Sequence, residues 1–368
     1  MYQIVKCPTI ITVLCSCILA QNSSWEKSYI RKINGLIYAP VSKLPYTGEV
    51  FELDETGNVI ELVIYKDGLP NGESHYVKWY RNGQKKEERN FVIGDNDGYC
   101  NKWYKSGQKK EKQVWKSGKK HGIWTLWYAN GQKEYEGNYI EGEKDGKWSF
   151  WYESGQKKQE GSYKKNRLYN GIYTEWFPNG QKKMDGSYKS GKKDGEWTLW
   201  DENGYKLSDV EYLEGRKHGI SSEYFLSGLK KFEGSYNQDQ KDGSWKEWTD
   251  SGFLILEKTY HKGRLNGNWE SYRSDGTRYW EGSYKEDMKD NIWICWYGNG
   301  QKKSEGNFKE GSLYNGMYTE WNDKGEIILQ GNYKDWGKEG IWRGYYDNGN
   351  KKFEEFYQNG ALMKTRSF

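Results

Sequence analysis

Proline is scarce, five in 368 residues, and histidine scarcer still at four. Few prolines suit long β-structure, because proline interrupts a ladder. Five cysteines are present, but beyond residue 20 only Cys100 and Cys295 remain. Two distant thiols and four scattered histidines give no metal-ligand spacing. Nucleophile-elbow, Walker and HExxH patterns are missing as well. We therefore expect no enzyme, no cofactor and no metal site. Charge of one sign is also lacking. The net charge is +5 with lysines and acids interleaved, so no basic stripe of the kind nucleic-acid binding needs is present. The same balance gives little attraction to an anionic lipid surface. Hydrophobic residues are only 35%, a composition that by itself leans toward disorder.

Aromatics oppose that reading. They make up 17% of the chain, with 20 Trp and 32 Tyr, and large rings can hold a thin sheet together with few aliphatics. They recur with a period. Gly57, Gly83, Gly107, Gly131, Gly155, Gly180, Gly204, Gly228, Gly252, Gly276, Gly300, Gly325 and Gly349 follow one another at 24–26 residues, and each is followed eight residues later by an aromatic. A fixed short period overrides the two or three globular domains that length alone suggests. The chain reads as thirteen tandem units.

Gly122–Tyr139, GIWTLWYANGQKEYEGNY, is the clearest unit. Asn130-Gly131 between aromatic-rich segments signals a two-residue type I′ hairpin, in which both turn residues need positive φ. That turn pairs Tyr128 with Lys133, Leu126 with Tyr135 and Trp124 with Gly137. Trp124, Leu126, Tyr128, Tyr135 and Tyr139 then share one face, and Trp127 lies on the other with Thr125, Glu134 and Glu136. Trp124 is expected to cover the bare backbone of Gly137, as aromatic rings do for strand glycines. Within single units five of six further glycines in the Gly137 position face a ring, and Ser221 is the exception. A lone hairpin is marginal in water, so each unit must stack on its neighbours. The expected fold is all-β: tandem antiparallel hairpins in one elongated, twisted open sheet or superhelix. An opening glycine stands nine residues before most turn glycines, and Asn291 replaces it once, an exchange that positive φ tolerates. Lysines two after the turn glycine, such as Lys133, are expected to aid solubility and resist edge pairing.

Residues 1–20 read as an export signal with a basic start and a short apolar core. Cleavage after Ala20 is one outcome; the other is a lipoprotein with Cys17 as the lipidated residue. Residues 21–45 read as an N-terminal cap, 46–357 as the repeats and 358–368 as a capping strand. No later segment is apolar enough to cross a membrane. The expected location is therefore outside the cytoplasm: periplasm, cell surface or outer-membrane-associated. Lys165–Gly180 and Glu310–Gly325 match closely at an offset of 145 residues, which points to duplication of a six-unit block.

The unit G-x-W-x-x-W-Y-x-N-G-Q-K-x-x-E-G-x-Y, carried almost whole by Gly122–Gly146, resembles the variant class of MORN repeats, including the YwqK-type antitoxin-like family. The resemblance implies tandem hairpins acting as an interaction surface, and in the antitoxin-like members neutralisation of a partner toxin. A thin sheet cannot bury both faces, and contiguous exposed aromatics mark interaction sites. The candidate partner-binding residues are Trp103, Trp127, Trp151, Trp176, Trp200, Trp248, Trp296 and Trp321. Two occupants fit them, a protein partner or a cell-envelope glycan; packing on lysine stems for stability alone is the bland alternative.

Overall fold

The computed structural model describes residues 24–70, 76–92 and 94–368. The leader-like residues 1–20 with Cys17 lie outside the described residues. The chain divides into two compact units: the described part of Met1–Gly155 with Lys164–Asn166, and Gln156–Tyr163 with Arg167–Phe368. Within each, strands follow chain order as an open antiparallel meander, so the expected tandem-hairpin fold is what forms. Helix is confined to one 3-10 turn, Lys27–Tyr29, among the described residues.

Two kinds of turn alternate, and they are not the ones the Asn-Gly pairs suggest. At Tyr128–Gln132 the amide of Gly131 donates to Tyr128 O (3.0 Å) and that of Tyr128 to Gln132 O (2.8 Å). Gly131 has φ +88°, whereas Asn130 is not in the left-handed region. This is a three-residue loop with a glycine bulge, not a two-residue type I′ turn. The type I′ geometry sits at the other connection: Ile140 pairs with Glu143, and Glu141 (φ 51°) and Gly142 (φ 87°) turn between them. Among the described residues thirteen such pairs occur, some without glycine, such as Lys165-Asn166 and Gln238-Asp239.

Register nevertheless falls where a two-residue turn would put it. Trp127 pairs with Lys133, a bulge follows, and Leu126 pairs with Tyr135 and Trp124 with Gly137. The longer loop and the bulge cancel, so only the expected Tyr128–Lys133 pair is wrong. A second irregularity places Gly146 and Lys147 opposite no single partner, between the Gly137–Trp148 and Asn138–Asp145 pairs. The opening glycine belongs to this bulge: Gly146 has φ 73°, and Asn291 takes φ 63° in its place.

The bulge aims a ring backwards, which corrects the expected cover over the glycine though not its register. A Cβ added to Gly137 would overlap the indole of Trp148 in the next repeat, not that of Trp124. The same holds for Gly186 under Trp197, Gly234 under Trp245, Gly282 under Trp293 and Gly331 under Trp342, while Gly161 and Gly306 lie under Tyr173 and Tyr318. Each of these seven glycines is thus covered from the following hairpin. The indole Nε1 then donates to a carbonyl one residue past the glycine, as Trp148 to Asn138 O (3.1 Å) and Trp293 to Ser283 O (3.0 Å). Trp148, Trp293 and Trp342 are 1–2% exposed, among the most buried large side chains of the described chain. Burying one ring contributes on the order of 2–3 kcal/mol, which couples each repeat to the one before it.

The N-terminal lead-in caps the sheet. Ser24–Glu26 pairs parallel to Glu49–Phe51, and Ile37, Tyr46 and Val50 form a small core backed by Trp25, Ile30 and Tyr65. Ala361–Ser367 pairs with Lys351–Gln358. Cys100 and Cys295 are buried free thiols, and burial pushes the Cys100 thiol up to about 11.

Asn130 has a use other than backbone conformation. Its Oδ1 accepts the Gln132 amide (2.9 Å) and its Nδ2 donates to Glu153 O in the next turn (2.6 Å). Asn82, Asn179 and Asn299 bridge to the following turn in the same way. Asn130→Ala should therefore cost about 1–2 kcal/mol. Asn130→Gly should cost nearly as much, although glycine would be at least neutral if the position needed positive φ. Urea titration of the two variants separates these outcomes. Gly282→Ala forces the buried Trp293 indole off its backbone seat and should cost about 2–3 kcal/mol. Gly228→Ala meets nothing within 4 Å but keeps φ +84° and should cost about 1–2 kcal/mol; equal losses for both would contradict the ring-on-glycine packing.

Candidate interaction surface

Alternation gives the sheet two unlike faces. On the covered face the buried indoles are sealed by lysines four residues earlier. Lys144 Nζ lies 4.3 Å from the Trp148 ring, Lys193 4.1 Å from Trp197 and Lys289 4.2 Å from Trp293. A tyrosine from the preceding strand stands edge-on to the same ring, as Tyr139 to Trp148 at 4.9 Å and 84°. Burial lowers the pKa of Lys144, Lys193, Lys241 and Lys289, because an ammonium over a ring has given up water.

The eight candidate tryptophans lie on the opposite face, and all eight are half-buried. Trp127 stands beside Thr125, which is itself buried, as are Thr174, Thr198 and Thr319. In several repeats the lysine two after the turn glycine is interleaved with the rings. Lys133 lies 5.6 Å from Trp151, Lys157 5.7 Å from Trp176 and Lys182 5.5 Å from Trp200. Each of these lysines also pairs with an acid three residues on, such as Lys133 with Glu136 (2.7 Å). These lysines thus pack the ladder, a role beyond the one expected of them. Such half-exposed pairs contribute little energy each; their regularity sets a ring every second strand, about 10 Å apart.

Sequence reasoning missed part of this surface. Trp79, Tyr224, Tyr272 and Tyr345 occupy the ladder position too, four before a turn glycine, so every repeat from Trp79 to Tyr345 carries a ring there. Lys206 sits 5.2 Å from the Tyr224 ring as its equivalents do from tryptophan. The same face also shows aliphatics after the opening glycine: Ile123, Ile172, Ile220, Ile292, Met317 and Ile341 are exposed, Ile172 by 74%. The spacing from Ile172 to Trp176 was the available signal, since residues four apart on a strand share a face.

Tandem hairpins that bury their rings only against neighbours define a repeat protein with one sealed and one half-open sheet face. Five stretches, residues 120–141, 144–165, 169–190, 289–310 and 338–363, match the family model described as the MORN repeat variant. Among curated proteins none matches the chain. Among solved structures the chain is similar to the TcdB2-TccC3 crystal structure, at 10% identity over 86% of this chain and 21% of that one, with a TM-score of 0.17. The TcdB2-TccC3-Cdc42 crystal structure and the Photorhabdus luminescens Tc holotoxin pore give the same TM-score and 10% identity, over 90% and 89% of this chain and 22% and 20% of theirs. The chain spans about a fifth of those chains, and scores this low carry no argument about fold or function.

Burial raises the pKa of many ring hydroxyls on the sheet, with Tyr135 pushed to about 12 and Tyr272, whose hydroxyl also donates to Glu270, to about 12. A phenol whose folded pKa exceeds its unfolded value, about 10, stabilises the fold fully below pH 10. That stability is lost as pH climbs toward 12. The depressed lysines act oppositely, but only below their unfolded value of about 10.4. Tyrosinate absorbance should therefore lag behind pH between about 10 and 12 and then rise together with loss of the β-sheet circular-dichroism signal. Smooth titration at pH 10 with the fold intact would contradict this burial.

Proposed function

We propose that the protein is a non-enzymatic, exported repeat scaffold that binds a protein partner along its half-open face. The observation that carries this reading is the coincidence, on one face of the unit that holds Arg167–Phe368, of a row of aromatic rings and a parallel row of exposed aliphatics headed by Ile172. Rings in a lattice of lysines and acids, beside bare aliphatic side chains, suit a protein surface better than a sugar, which offers few apolar groups for Ile172 or Met317. The MORN-variant matches support a scaffold, and the leader-like residues 1–20 support export. A toxin, which the antitoxin-like resemblance suggests, is one identity for the partner.

The test is a pull-down from the source organism's envelope extract, before and after polysaccharide digestion. A discrete protein in fixed ratio, indifferent to digestion, is expected. Ile172→Glu, and separately Trp176→Ala, should lower its recovery at least tenfold while moving the melting midpoint by no more than a few degrees. Retention that depends on polysaccharide would replace the protein partner with a glycan. Recovery unchanged in both variants would make the ladder purely structural.

A further inference from the structure

On the covered face the ring position holds an aromatic in every repeat from Trp124 to Trp342 except one, Ser221. Opposite Ser221 the glycine is replaced too, by Val210. A cavity of about 390 Å³ opens over these two residues, walled by Phe232, Tyr236 and Trp245. That is within the range of small-ligand pockets, roughly 300–1,000 Å³. The gap belongs to the covered face, so the inference does not depend on the ladder reading.

The neighbours define what is missing. In flanking repeats one lysine caps two rings: Lys193 lies 4.1 Å from Trp197 and 5.0 Å from Tyr212, and Lys241 lies 4.2 Å from Trp245 and 5.2 Å from Tyr260. Lys217, their equivalent, reaches only Tyr236, at 4.9 Å. Tyr212 occupies the place from which Tyr236 stands edge-on to Trp245 at 5.1 Å, yet among the described residues its one ring neighbour is Trp197, at 6.5 Å. A ring's worth of space, an ammonium and a phenol edge are all in position around Ser221.

Charge adds a second requirement. Lys217, Lys241 and Lys258 all line the cavity, and among the described residues none of the three is in an ion pair. Lys241 is held below the usual lysine range by burial first and by Lys258 and Lys217 next. Glu223 and Glu247 lie on either side of Phe232, leaving ammonium groups in excess.

We propose that the Ser221 gap binds a planar aromatic ring carrying a carboxylate, the ring resting over Val210 and Ser221 and the carboxylate meeting Lys217 and Lys241. A free small molecule and an aromatic side chain beside an acidic residue offer the same chemistry. Calorimetric titration of the full chain with indoleacetate and with a short acidic tryptophan peptide distinguishes them. Saturable binding of indoleacetate is expected, and binding of the peptide alone would assign the site to a protein ligand. Ser221→Trp combined with Val210→Gly, which rebuilds the seat that Gly186 gives Trp197, should abolish binding and leave the melting midpoint unchanged or higher. Lys217→Gln, which gives up the contact with Tyr236 but uncovers no buried indole, should weaken binding about fivefold. Failure of both probes to saturate in the millimolar range, or undiminished binding in both variants with the fold intact, would overturn the proposal.

Discussion

An indole laid flat on the bare backbone of the preceding hairpin is the contact on which this sheet depends. A two-faced sheet one layer thick has no interior, so its rings must find cover from above and below within that layer. Gly137 supplies the floor for Trp148, Tyr139 the edge and Lys144 the lid. The ring's only polar atom is spent on Asn138 O, so burial leaves no unsatisfied donor. Because floor and ring come from successive hairpins, the unit of stability is the junction between repeats. This is the nearest-neighbour logic of repeat proteins.

The turns serve the same junctions. Tight connections between the strands of the repeats leave little slack for a neighbour to pair elsewhere, and several turns are tied to the next. Asn130 reaches Glu153 O at one edge, and Tyr128 donates to Trp151 O (3.0 Å) just inside it. At the other edge Asp97 accepts the Ser117 amide (2.9 Å) and Asp242 the Lys262 amide (3.2 Å). These two aspartates, each just before an opening glycine, thus act on the turn after their own.

Much of this was legible in the sequence, and the errors share one cause. The period, the turn glycines, the inner register and the positive φ of Asn291 follow from local patterns. Which neighbour covers Gly137 does not, because a strand in a meander has two partners and the hairpin loop draws attention to only one. Counting rings after each glycine, instead of within its own unit, gives an aromatic for all seven: Gly161 meets Tyr173 and Gly234 meets Trp245. Ser221 then ceases to be an anomaly of covering and becomes a gap opposite Val210. The Asn-Gly signal misled for a related reason: Asn130 is selected by the next turn, at Glu153, and not by its own φ. Glu141 and Lys165 at positive φ contradict local preference and were not legible at all.

Exchange of indole protons with solvent, followed by NMR on protein labelled at tryptophan nitrogen, tests the central contact most directly. The Nε1 protons of Trp148, Trp197, Trp245, Trp293 and Trp342, each bonded to a carbonyl of the preceding hairpin, should exchange orders of magnitude more slowly than those of Trp127, Trp200 and Trp248 on the half-open face. Equal, fast exchange in both groups would mean that the rings do not seal the junctions, and the account of this fold would fail.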